Sequence, residues 1–142
     1  MRFGACLVLA AMPLVLGAWS QSSANHMPWN LNGRAIVKTP DGVSHVIRGS
    51  VCNFGPRSGR LRFGGDAATD YLSIVVRRPK GGKPTVLDIE DGILTLPSVD
   101  IAVLGTAQVQ EFPVKRGTFV LYTRRGNNVR GKPRYTGSWT CG

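Results

Sequence analysis

The 142-residue chain carries 18 Lys and Arg against 8 Asp and Glu, so its formal net charge is +10. This length fits one domain better than two, and a hydrophobic fraction of 42% excludes a wholly disordered chain. The 18 Gly and 9 Pro follow no collagen-like period, and we expect them to mark tight turns between short strands.

Residues 1–20 have the three-part pattern of a secretory signal peptide. Arg2 gives a positive start, residues 5–16 form an apolar run, and small residues follow up to Ser20. The run is shorter than the roughly 20 residues that a membrane-spanning helix needs. We therefore expect an exported chain without a transmembrane helix, cleaved after Ser20 or after Ala24. No Cys directly follows the apolar run, so the pattern does not predict a lipidated N-terminus.

The remainder predicts a flexible polar leader at 21–33 and a single all-β domain at 34–142. The strand candidates, in chain order, are residues 34–38, 43–54 with a bulge at Gly49, 60–63, 71–78, 85–89, 93–96, 100–104, 106–114, 118–124 and 134–140. Gly- and Pro-rich turn signals separate them, and residues 66–70 are the candidate for a helical turn. Many short strands at this spacing predict a small β-sandwich or barrel-like domain.

The cysteines predict one disulfide in the exported chain. Cys6 leaves with the signal peptide, so Cys52 and Cys141 remain, and two Cys in an exported domain indicate one bond. It closes a loop of about 90 residues and stabilises the fold by about 4.5 kcal/mol in the chain-entropy treatment. Two buried free thiols are the alternative. His26 and His45 stand at no spacing typical of a metal site, so we predict no metal and no cofactor.

Basic residues near the C-terminus predict an anion-binding surface. The set is Lys115, Arg116, Arg124, Arg125, Arg130, Lys132 and Arg134, with no acid between them. Residues 126–133 contain Gly, Asn and Pro and predict a hairpin connection, which can bring Arg124 and Arg134 together across two strands. The expected partner is an anionic polysaccharide, envelope or host surface. The alternative is that these charges only keep the protein soluble.

Catalytic motifs are absent from the sequence, which favours a non-enzymatic protein. It contains no nucleophile elbow, no His-Glu-x-x-His pair and no P-loop. The acids Asp88, Glu90 and Asp91 support an alternative. In that interpretation, a small secreted hydrolase or lectin-like domain uses a cleft lined by Asp88 and Asp100.

Aromatic residues among the C-terminal arginines support a third interpretation, a nucleic-acid binder. Tyr122, Tyr135 and Trp139 are of the type that stacks on bases. Export argues against nucleic acid as a partner. We expect Trp139 to pack in the core beside Cys141 instead.

Two blocks of sequence point to a family. The first is GSVC at 49–52 followed by GRLRFGGDAAT at 59–69, and the second is TCG at 140–142. They resemble the mycobacterial 19-kDa lipoprotein antigen family, although the acylated Cys of that family has no counterpart here. The resemblance implies an exported, all-β, disulfide-bonded envelope protein without enzymatic activity and with adhesin-like or immune-exposed roles. We therefore expect an extracellular or envelope protein, peripherally associated with the membrane.

Overall fold

The computed structural model describes residues 29–65, 69–81, 85–109 and 115–142. The strands are β1 (Asn30–Lys38), β2 (Ser44–Phe54), β3 (Ser58–Phe63), β4 (Tyr71–Arg77), β5 (Val86–Leu96), β6 (Val99–Val109), β7 (Arg116–Arg125) and β8 (Val129–Thr140). Each strand pairs antiparallel with the next, and β8 also pairs with β1, which closes the sheet into a barrel. The all-β prediction is confirmed, in its barrel-like form. No helix among the described residues is long and apolar enough to cross a membrane.

The barrel has two ends that carry different connections. Because neighbouring strands run in opposite directions, alternate connections lie at opposite ends. We call the end where β1 begins and β8 stops the lower end; it carries the β2–β3 and β4–β5 connections. The upper end carries the β1–β2, β5–β6 and β7–β8 connections.

Apolar side chains at alternate strand positions fill the barrel interior. On β3, Leu61 and Phe63 are fully buried, and on β4 the same is true of Leu72, Ile74 and Val76. Successive side chains of a strand point to opposite faces, and an eight-stranded barrel is just wide enough for side chains to fill. Each such buried side chain stabilises the fold by about 1.5–3 kcal/mol.

Glycine lies inside strands as well as in turns, contrary to the expectation from composition. The strand glycines are Gly33, Gly49, Gly59, Gly92, Gly105, Gly117, Gly131 and Gly137. On β7 and β8, Gly117 is opposite Trp139 and Phe119 is opposite Gly137. The two rings stack with centroids 6.3 Å apart and planes inclined by 19°. The glycines therefore leave the space that these rings occupy.

The leader prediction extends four residues too far. The predicted signal peptide and residues 21–28 lie outside the described residues, but residues 30–33 already belong to β1. Asn30 is paired with Ser50 of β2. A register shift separates this pair from Arg34–Arg48, and Gly49 between the two β2 residues has a φ of 92°. The polar residues 30–33 therefore begin β1. The extra residues of the register shift lie on β1, so the bulge is there and not, as predicted, at Gly49 on β2.

In two places, two segments that were predicted as separate strands form one continuous strand. Segments 85–89 and 93–96 belong to β5, and segments 100–104 and 106–114 belong to β6, whose described part stops at Val109. A register shift within β5 absorbs the residues that were expected to turn the chain. Most of the predicted helical turn at 66–70 lies outside the described residues.

The disulfide is formed as predicted. The sulfur atoms of Cys52 and Cys141 are 1.99 Å apart, and the Cα atoms are 6.1 Å apart. Cys52 is on β2 and Cys141 follows β8, so the bond links the two strands that flank β1 near its first residue. The Ser50 hydroxyl donates to the Cys141 carbonyl at 2.9 Å. Both cysteines pack against the core, as does Trp139, so the end of the chain is held to the barrel.

Candidate functional site

The β7–β8 pairing divides the seven predicted anion-binding residues into two groups. Arg116 is opposite Thr140 at the lower end, directly after Lys115. Arg124 lies eight residues further along β7, about 26 Å away at the rise per residue of a strand. The prediction of one surface is therefore wrong for Lys115 and Arg116, while the other five residues lie near the upper end.

The hairpin connection is shorter than predicted, and this changes the pairing of the arginines. The turn comprises residues 126–128, and residues 129–133 belong to β8. Gly126 and Asn128 both have positive φ, 52° and 66°, which suits a tight hairpin turn. A register shift then places Arg130 opposite Arg124, and Tyr122 opposite Arg134. Arg124 and Arg134 are thus not paired directly.

A half-buried tyrosine lies among the cations at the upper end. The Arg130 guanidinium carbon is 5.3 Å from the Tyr122 ring centroid, within the range of a cation–π contact. Lys132 and Arg134 line an open cleft with Tyr122 and with Lys38 of the neighbouring β1. We call Lys38, Tyr122, Arg130, Lys132 and Arg134 the hairpin surface. Its four cations are exposed, Lys38 on β1 and Arg130, Lys132 and Arg134 on β8.

Acids border the hairpin surface on two sides: Asp88, Glu90 and Asp91 line a groove with Arg130, and Asp41 borders the cleft of Lys132 and Arg134. Asp41, in the β1–β2 turn, lines the same cleft. The Thr39 hydroxyl donates to its carboxylate, and this hydrogen bond is the main reason that the pKa of Asp41 lies below its usual range. Asp41 is therefore ionised at neutral pH and offsets part of the positive charge at that edge.

Arg124 is engaged elsewhere and does not belong to the hairpin surface. Its Nη1 donates to Asp91 Oδ1 at 2.9 Å. Leu104, on the strand between them and 5% exposed, lines the same groove. Leu104 pairs with Tyr122 and is outside the packed core cluster. Arg124 is thus held by an ion pair with Asp91, apart from the hairpin surface.

The acids do not form the cleft expected of a hydrolase or lectin-like domain. Asp100 is opposite Thr95, seven residues along β5 from Asp88, which corresponds to roughly 23 Å. The prediction that Asp88 and Asp100 line one cleft is therefore wrong. Glu90 accepts a contact from Arg77 Nε at 3.0 Å, in the same way that Asp91 accepts one from Arg124.

The aromatic platform of the nucleic-acid interpretation is also not formed. Tyr135 is 5% exposed and Trp139 is 3% exposed, and both belong to the core cluster. Of the three aromatic residues, Tyr122 alone faces outward. Burial raises the pKa of the Tyr135 phenol, and the charge of Asp41 adds to this effect.

A second basic site at the lower end is absent from the sequence-based predictions. The β2–β3 turn and the β4–β5 connection enclose a cleft of about 860 Å³. Its walls carry four cations, Arg57, Arg77, Arg78 and Lys80. We call this the basic cleft. The Arg-Arg-Pro-Lys segment at 77–80 is visible in the sequence, but Arg57 joins it through the topology of the meander.

Comparisons with known proteins add nothing to the family resemblance, which rests on the two sequence blocks alone. No family model, curated protein or solved structure matches the chain. Within the blocks, Gly49 has a positive φ opposite the β1 irregularity, and Cys52 and Cys141 form the disulfide. Among the described residues, no three His, Cys, Asp or Glu side chains lie close enough together to bind a metal ion.

Proposed function

We propose that this protein is an exported, non-enzymatic protein of the cell envelope or surface that binds anionic polysaccharides through the hairpin surface. Its signal-peptide pattern supports export, and a disulfide is typical of oxidising compartments. The sequence blocks shared with lipoprotein antigens support an envelope location. The observation that carries the proposal is the hairpin surface, where four exposed cations surround Tyr122.

The chemistry of the hairpin surface suits a charged sugar chain. Guanidinium groups bind carboxylates and sulfates with paired hydrogen bonds, and Lys132 adds a compact positive charge. The apolar face of Tyr122 can pack on the hydrophobic face of a sugar ring, while Arg130 covers part of the same ring. Because side chains fill the barrel interior, the outer wall and the two ends remain for binding.

Retention on a sulfated-polysaccharide column tests the proposal. The hairpin variant carries Arg130→Ala, Lys132→Ala and Arg134→Ala. The control carries Arg34→Ala, Arg48→Ala and Arg60→Ala, which removes the same charge from exposed positions on β1, β2 and β3. We expect wild type and control to be retained and the hairpin variant to elute at clearly lower salt.

The salt dependence gives a quantitative criterion. Each cation that neutralises a polyanion charge contributes about 0.7–0.9 to the slope of log affinity against log salt, from counterion release. Losing three such contacts should reduce the slope by about 2–3. Equal elution and equal slopes for the two variants would show that the proposal is wrong and that net charge alone causes retention.

A further inference from the structure

The basic cleft is built by two connections that are held together by main-chain contacts. The Arg78 amide donates to the Arg57 carbonyl at 2.7 Å, and Ser58 pairs with Arg77 where β3 meets β4. Pro56 and Pro79 lie one on each connection and restrict its main chain. The walls of the cleft are thus fixed relative to each other before any ligand binds.

Positive charge dominates the walls of this cleft. Four cations line it, and no Asp or Glu is among the described residues that do so. Glu90 contacts Arg77 through Nε at 3.0 Å and offsets part of its charge, so Arg57, Arg78 and Lys80 contribute most of the positive charge. Three arginines and one lysine provide both paired hydrogen bonds and point charge, the combination that proteins use for phosphate.

We infer that the basic cleft binds a phosphate monoester group carried on a molecule of sugar size. A volume of about 860 Å³ is within the range of small-molecule sites and exceeds the needs of a bare anion. The two prolines provide apolar contact for the remainder of such a molecule. A phosphate monoester is close to dianionic at neutral pH, so it neutralises more of the four positive charges than a sulfate ester or a carboxylate does.

This site is independent of the proposed function. The basic cleft is at the lower end of the barrel, and the hairpin surface is near the upper end. Loss of polysaccharide retention would leave the cleft untouched. Failure of phosphate binding would likewise leave the hairpin surface untouched.

Titration of the full, exported chain with glucose 6-phosphate at low salt tests the inference. We expect saturable binding by calorimetry, with NMR shifts centred on the amides of Arg78 and Gly81. Arg57→Ala with Lys80→Ala removes two exposed cations of the cleft and should weaken binding at least tenfold, because each lost charge-assisted hydrogen bond costs about a factor of ten. Arg34→Ala with Arg48→Ala removes the same charge from exposed positions on β1 and β2; it is the control and should bind as wild type does.

A comparison of three ligands distinguishes specific phosphate binding from general anion binding. Glucose 6-sulfate should bind more weakly than glucose 6-phosphate, and glucose should not bind. Affinity for the phosphate should rise with pH through about 6, where its second proton dissociates. Absence of saturable binding, equal weakening by both double variants, or equal affinity for sulfate and phosphate would overturn the inference.

A vesicle measurement identifies the source of the phosphate. Phosphatidylcholine vesicles with phosphatidic acid present the same monoester on a lipid headgroup, and phosphatidylcholine alone serves as control. Co-sedimentation that glucose 6-phosphate displaces supports a lipid source. Binding of glucose 6-phosphate without co-sedimentation supports a phosphorylated sugar.

Discussion

Gly137→Ala tests the closest packing between β8 and the rest of the barrel. A Cβ atom at this position would be 1.9 Å from the Ile36 carbonyl oxygen and 2.5 Å from Cζ of Phe119. Non-bonded carbon atoms ordinarily approach to about 3.5–4.0 Å. The ring can shift slightly, but the carbonyl cannot move without disturbing the β1–β8 pairing. Overpacking a core costs about 1–3 kcal/mol or somewhat more, and the main-chain contact indicates a loss of about 3 kcal/mol.

Thermal unfolding followed by circular dichroism measures this effect. In a domain of this size, 1 kcal/mol corresponds to about 4 °C, so Gly137→Ala should lower the Tm by about 12 °C. Gly65→Ala is the control, because a Cβ there has no atom within 4 Å; it should leave the Tm unchanged or raise it slightly. If the Tm of Gly137→Ala is within about 4 °C of wild type, the reasoning from close packing is refuted.

Three further predictions address the disulfide, Tyr135 and the Arg124 ion pair. Cys141→Ser should lower the free energy of unfolding by about 4.5 kcal/mol, measured by chemical denaturation; a loss below about 1 kcal/mol would contradict the role assigned to the disulfide. The raised pKa of Tyr135 means that the folded state keeps a proton that the unfolded state loses. Stability should therefore be intact below the unfolded-state pKa of about 10 and fall as pH rises above it. Tyr135→Phe should reduce this alkaline loss in a pH series of melting curves, and an identical pH dependence would contradict the assignment. Asp91→Ala should cost under about 1 kcal/mol yet increase retention on the polysaccharide column more than Asp100→Ala does, because it releases Arg124; equal retention would contradict this.

Strand positions could be predicted wherever neighbouring side chains alternate in character. Leu61 and Phe63 alternate with arginines, so the sequence alone indicates one buried and one exposed face. The disulfide could be predicted because Cys52 and Cys141 are the two cysteines outside the predicted signal peptide. Gly117 and Gly137 could not be interpreted in the same way, since a glycine opposite an aromatic ring has the same local sequence signal as a glycine in a turn. Only the pairing of β7 with β8 shows which glycines lie opposite aromatic rings.

The functional surfaces were harder to predict because they depend on register and on chain direction. Arg116 and Arg124 are close in sequence, but a strand separates neighbours by about 3.3 Å per residue and places them at opposite ends. Arg57 and Lys80 are distant in sequence, yet the meander returns their two connections to the same end of the barrel. A prediction from proximity in sequence therefore included Lys115 and Arg116 with the residues of the hairpin surface, and it missed the basic cleft.

The filled interior and the separation of the two basic regions limit how this protein can act. A packed barrel holds both regions on one rigid body. Along β7, Tyr122 of the hairpin surface lies six residues from the lower end at Arg116, about 20 Å, which exceeds the screening length of about 10 Å at 0.1 M ionic strength. Charge removed from the hairpin surface should therefore not alter the field at the basic cleft, so the effects of the two sets of substitutions should be additive. A single anionic molecule must be long to reach both regions, whereas two separate molecules can be bound at once. Under the two proposals above, the same barrel would link a polysaccharide at its upper end to a phosphate-bearing molecule at its lower end.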